Sequence, residues 1–121
     1  MKMQFCTPEL PVTSVSEAMR ALRLLGFRDA WVYEDSFGCM FGDGDIELFL
    51  RKETSPQPCT LYFKVDDADA FHERYAQSAE IVTPIHDTPW GMREFVGRVV
   101  DGHLFRIGHG RPEGEDRRTA L

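Results

Sequence analysis

The sequence predicts an α+β chain built from two βαβββ modules. Three observations predict it. An order of strand, helix and three strands occurs twice, at a spacing of roughly 55 residues, a scale at which a repeat should be weighed before any single motif. Each helical stretch opens on a capping residue. Asp-Gly pairs, which favour tight hairpins, sit between strand candidates in both halves.

Module one covers about residues 5–51. Its first strand, 5–12, carries Pro8 and Pro11, which confine it to an edge or to an interrupted pairing. Ser14 stands three residues before Glu17, the spacing of a capping box. Val15, Ala18, Met19, Leu22 and Leu25 follow at helical spacing, and Gly26 ends the helix. Strands are expected over 27–34, 38–41 and 46–51, the last two joined by Gly42-Asp43-Gly44-Asp45. In the last strand Ile46, Leu48 and Leu50 share one face, while Glu47, Phe49 and Arg51 share the other. Residues 52–58 are polar with two prolines and read as a linker.

Module two, about 59–108, repeats the order. A strand over 59–65 leads to a helix capped by Asp66 or Asp67, with Ala68, Phe71 and Tyr75 on one face. Strands are expected over 81–83, 94–100 and 104–107, with Asp101-Gly102 as the final hairpin turn. Residues 111–121 are charged and aperiodic, which suggests a flexible tail.

Composition excludes several functions. The net charge is −6 and no run of Lys or Arg exceeds two residues, so the basic footprint of a nucleic-acid binder is missing. An acidic surface attracts cationic ligands, although net charge alone first means solubility. No apolar run approaches the roughly 20 residues of a membrane span, and residues 1–8 contain no apolar signal region. Cys6, Cys39 and Cys59 are widely spaced without a CxxC, as in reduced thiols of a cytoplasmic protein. The expectation is a cytoplasmic protein that meets neither membrane nor nucleic acid.

Several segments resemble the glyoxalase/bleomycin-resistance, or vicinal-oxygen-chelate (VOC), superfamily. Leu10-Pro-Val-Thr-Ser-Val-Ser-Glu-Ala followed by Leu24-Leu25-Gly26-Phe27 resembles the opening of its domains. Val65-Asp66-Asp67-Ala68-Asp69-Ala70-Phe71 resembles the start of its second module. The run Pro89-Trp90-Gly91-Met92-Arg93-Glu94-Phe95, then Asp101-Gly102-His103-Leu104-Phe105-Arg106-Ile107-Gly108, is similar to the bleomycin-resistance branch. Val99-Val100 stand where that branch has Asp-Pro, and His103 where it has Asn. The resemblance covers about residues 5–110 and implies a single VOC domain, paired as a two-fold homodimer.

Metalloenzymes of the superfamily draw one metal ligand from each of four strands. The matching positions here are Thr7, Glu47, Thr60 and Arg106, of which Glu47 alone is a credible ligand. A fixed guanidinium opposes a cation, and a divalent ion needs several convergent donors. His72, His86, His103 and His109 are not at ligand spacing and read as solvent-facing or capping residues. No metal, cofactor or catalytic residue is therefore expected.

The resemblance then implies a ligand cleft between two chains. Glu47 and Phe49 point one way, as do Thr60 and Tyr62, and as do Leu104 and Arg106. Aromatic rings with a few polar groups suit a planar or cationic ligand, held by stacking and cation–π contact. Trp90, in a proline- and glycine-bearing loop, is the first candidate, with core packing as its alternative. Trp31, Phe37 and Phe41 are read as core first and cleft second. Glu94 either pairs with Arg93 or Arg98, meets a cationic ligand, or is a surface charge. The expected function is metal-independent binding of a bleomycin-like or other aromatic cation. The alternative is a VOC-fold enzyme on an unknown substrate, with Glu47 as base.

Overall fold

A computed structural model describes residues 1–112; the expected tail, 111–121, lies for the most part outside the described residues. The chain divides into two compact units, one of residues 1–58 and one that begins at Cys59.

In the first unit the elements are β1 (Glu9–Val12), α1 (Val15–Arg23), β2 (Arg28–Tyr33), β3 (Phe37–Phe41) and β4 (Glu47–Lys52). The sheet runs β1-β4-β3-β2, with β1 parallel to β4 and the other pairs antiparallel. β1 is shorter than the expected 5–12, because Pro8 has no N–H to extend the ladder. The Pro8 carbonyl still accepts from Phe49 N–H at 2.9 Å. Pro11 survives because β1 is an edge strand.

Ser14 Oγ accepts from Glu17 N–H at 3.2 Å, and Asp35 Oδ1 accepts from Ser16 N–H at 2.7 Å. Two of the four orphan donors of α1 are thereby satisfied. The helix ends one turn before Gly26, whose φ of 102° lets Phe27 N–H close onto the Leu22 carbonyl at 3.1 Å. Val15, Ala18, Met19 and Leu22 then pack against the sheet face that carries Leu10, Val12, Met40, Leu48 and Leu50, all essentially buried. Fully burying one such side chain stabilises by roughly 1.5–3 kcal/mol. The β2–β3 turn contains no glycine; Glu34 and Asp35 themselves adopt φ of 46° and 52°.

The second unit repeats the topology: β5 (Thr60–Lys64), α2 (Ala68–Ser78), β6 (Glu80–Asp87), β7 (Met92–Arg98) and β8 (Leu104–Gly110), in the order β5-β8-β7-β6. Asp67, not Asp66, caps α2 through a 3.2 Å bond from Ala70 N–H. His109 Nδ1 accepts from Ala68 N–H at 2.9 Å. Tyr75 lies over Gly97, where a Cβ would stand 3.1 Å from its ring, and packs edge-to-face on Phe95 at 5.4 Å. Burial pushes the Tyr75 hydroxyl far above its ordinary pKa.

Three strand limits differ from expectation. β6 continues through Pro84 to Asp87, tolerated because it is an edge strand with shifts in register. β7 starts at Met92 and stops at Arg98, and β8 runs on to Gly110. In the Asp101-Gly102 turn both residues take positive φ, 55° and 79°. Behind it His103 is fully buried, and its Nδ1 accepts from Cys59 N–H at 3.0 Å.

His103 thus substitutes for a main-chain acceptor at the start of β5. His103→Leu should lower the unfolding free energy by about 0.5–1.5 kcal/mol in urea titrations, by removing the acceptor of this part-buried hydrogen bond. His103→Asn, which restores an acceptor at nearly the same place, should recover more than half of that loss.

Candidate functional site

α1 covers one face of its sheet so closely that a Cβ on Gly38 would meet Val15 Cγ1 at 3.0 Å and Met19 Sδ at 3.3 Å. Alternation sends the neighbours of Gly38 to the other face. There β4 presents Glu47, Phe49 and Arg51, in register with Phe41, Cys39 and Phe37 of β3. Trp31 of β2 stands opposite Cys39.

Three of these rings form one cluster. Trp31 and Phe37 are stacked at 5.8 Å, Phe37 and Phe49 lie 5.2 Å apart, and Trp31 and Phe49 lie 6.1 Å apart. Trp31 is 48% exposed and Phe41 40%, so neither is the core residue that was expected first. Phe37 and Phe49 are half-buried. Which face of β2 and β3 is core is decided by the helix, through Gly38.

Glu47 accepts the Thr7 hydroxyl through Oε1 at 2.7 Å. An open surface pocket of about 550 Å³ lies beside it, lined by Phe5, Arg28, Phe41, Asp45 and Ile46 together with Glu47. Arg51 is held by Glu9 at 3.4 Å and Glu53 at 3.3 Å. Burial, with Glu47 nearby, raises the Cys39 thiol above its usual range. Cys39 and Arg51 were not among the expected site residues, although the alternation of β4 already placed Arg51 beside Phe49.

In the second unit the face opposite α2 carries Tyr62, Glu94, Arg106 and Gly108. Glu94 was expected to pair with Arg93 or Arg98, or to be a surface charge; it does none of these. Arg93 instead forms a bidentate contact with Asp69 at 2.9 Å and reaches Asp87 at 3.0 Å. Arg98 pairs with its cross-strand partner Glu80 at 3.2 Å. Glu94 is 2% exposed and accepts the Tyr62 hydroxyl through Oε2 at 2.8 Å, with Arg106 Nη1 at 3.8 Å from Oε1. The hydrogen bond from Arg93 holds the Asp69 carboxyl below its usual range. That stabilisation is present above the ordinary carboxylate pKa and fades as pH falls through the lowered value; solvent screening keeps it small.

A buried carboxylate is costly unless hydrogen bonds and a counter-charge satisfy it. Gly108 makes this possible: a Cβ there would stand 2.5 Å from Tyr62 Oη and 2.8 Å from Glu94 Cβ. Tyr62 can therefore lie across β8 to reach β7.

Thr60 is exposed on the same face, opposite Leu104 and two residues out of step with Arg106. Trp90 is 55% exposed at the β6–β7 turn, which excludes the core alternative. Thr88 holds that turn, its hydroxyl donating to the Met92 carbonyl at 3.1 Å and accepting from Met92 N–H at 3.0 Å.

The four positions matching metal ligands do not make a donor set for a divalent ion. Thr7 spends its hydroxyl on Glu47, and Arg106 brings a positive charge toward Glu94. Among the described residues no three His, Cys, Asp or Glu side chains converge.

Solved structures place the fold. It is that of the glyoxalase/bleomycin-resistance proteins, with each unit one βαβββ module. TioX from Micromonospora sp. ML1 aligns at a TM-score of 0.77 and 24% identity, over 90% of this chain and all (100%) of that one. A glyoxalase-related enzyme from Clostridium phytofermentans aligns at 0.80 and 20% identity, over 92% and 98% of the two chains. A bleomycin-binding protein from Streptomyces verticillus, solved with copper(II)-bleomycin, aligns at 0.71 and 23% identity, over 92% and 99%. No protein-family model and no curated protein matches the sequence. No helix among the described residues is long and apolar enough to cross a membrane.

Tyr62→Phe should cost about 1–3 kcal/mol in chemical denaturation, because Glu94 loses its buried hydrogen bond. Gly108→Ala should cost a similar amount through overpacking, about 1–3 kcal/mol. The double variant should lose clearly less than the sum, since one change removes the hydroxyl that the other strikes.

Proposed function

We propose that this chain binds a planar, cationic small molecule on the sheet faces that its helices leave uncovered, and works by sequestration without chemistry. The observation that carries this reading is the Trp31–Phe37–Phe49 cluster, with Glu47 two residues from Phe49 on the same strand. Such a cluster offers a broad π-surface at low entropic cost. A carboxylate beside it favours a ligand that carries positive charge.

Two further observations support it. The net charge of −6 steers cations toward the protein. Among the similar folds is a protein solved with bleomycin bound. Phe49, Phe37 and Glu47 are assigned to the ligand on the first unit, and Tyr62, Arg106, Thr60 and Trp90 on the second, where the enclosed Glu94 holds Tyr62 and Arg106 in place. The working form in this proposal is a two-fold homodimer, with the ligand seated where two chains meet.

Titration with bleomycin, and with proflavine as a minimal planar cation, should quench tryptophan fluorescence saturably. Trp90→Phe isolates Trp31 as reporter and should retain part of that quench. Phe49→Ala should weaken binding about tenfold, equivalent to about 1.4 kcal/mol, and added salt should weaken it further. Absence of saturable quenching by both compounds would falsify the reading.

A further inference from the structure

The aromatic cluster and the pocket beside it are joined through one residue. Glu47 lies on the same face as Phe49, two residues away, and it also lines the 550 Å³ pocket with Phe5, Phe41, Asp45 and Arg28. Phe41, its cross-strand partner, is a wall of that pocket, and Arg28 is in turn the partner of Phe41. One sheet face thus passes directly from a stacking surface to a cavity, with a carboxylate at the junction.

The junction carboxylate is oriented. The Thr7 hydroxyl tethers Oε1 at 2.7 Å, which leaves Oε2 as acceptor capacity for a ligand. Asp45 adds a second negative charge to the lining, while the Arg28 charge lies 3.9 Å from Asp43. Phe5 and Phe41 provide ring faces, which attract a cation as well as an apolar stem. A strand rises about 3.3 Å per residue, so Glu47 and Phe49, its same-face neighbour in the cluster, are about 6.6 Å apart along the β4 backbone.

We infer that this pocket is an ammonium subsite, and that the ligand is an arylalkylamine-type molecule: a planar ring joined to a protonated amine by an arm of two or three methylene groups. The ring stacks on the Phe49 side of the cluster, and the amine enters the pocket and donates to Glu47. This rests on the aromatic-ligand reading and deepens it, because it names the spacing and the residue that select among planar ligands. Thr7 acts here as a positioning residue, since it touches Glu47 and not the ligand.

Calorimetric titration of the full chain with naphthyl compounds tests it: naphthylmethylamine, naphthylpropylamine and the neutral naphthylpropanol. The propylamine should bind the wild-type chain at least tenfold more tightly than the other two. Glu47→Gln keeps an acceptor for Thr7, so the fold should be retained, which urea denaturation checks. That variant should bind the propylamine at least tenfold more weakly and the propanol within about twofold of wild type. Thr7→Val should show the same pattern at smaller size. If propylamine and propanol bind alike and Glu47→Gln changes neither, the inference is overturned while the aromatic reading stands. If no naphthyl compound binds at all, both fail.

Discussion

A four-stranded sheet has two faces, and each unit has one helix to cover them. Everything distinctive about the candidate site follows from which face the helix takes. In the first unit the choice is enforced by Gly38, which lets Val15 and Met19 approach the sheet to van der Waals contact. In the second, Gly97 does the same for Tyr75. Helix and sheet then bury a continuous apolar layer that drives folding. The opposite faces are released for residues that folding alone would not select: an aromatic cluster, a tied Glu47 and a buried Glu94.

The two faces solve different electrostatic problems. On the first, Glu47 is half-buried and satisfied by one hydroxyl, so it retains acceptor capacity at the edge of a cavity. On the second, Glu94 is sealed, and its charge is tolerated because Tyr62 and Arg106 converge on it across two neighbouring strands. That arrangement needs Gly108, as the short Cβ distances there show. A carboxylate that makes one bond and faces a pocket is suited to recognition. One enclosed by a tyrosine and an arginine is suited to holding those two side chains in place.

Much of the fold was legible because it rests on local signals. Ser14 and Glu17, the Asp66-Asp67 pair, Gly26 and the alternation of β4 each announce their local conformation, with the structure choosing Asp67 as the cap. The doubling of the order strand–helix–three strands is the sheet topology itself, β1-β4-β3-β2 and β5-β8-β7-β6. What could not be read was non-local. Nothing near Trp31 says that Gly38 turns the other face to the helix. Glu94 has arginines on either side in sequence, yet Asp69, Asp87 and Glu80 claim them, and its partners come from β5 and β8. His103 looked like a turn residue because its role depends on the Cys59 amide, 44 positions away. The Glu34–Asp35 turn was missed because no glycine marks its positive φ.

The central claim is that the helix-free face of the first unit is where a planar cation binds. Amide chemical-shift mapping during titration with proflavine tests it most directly. The account predicts saturable shifts concentrated on β2, β3 and β4 around Trp31, Phe37, Phe49 and Glu47, with α1 scarcely affected. Shifts confined to α1 or α2, or spread evenly over the chain without saturation, would contradict it.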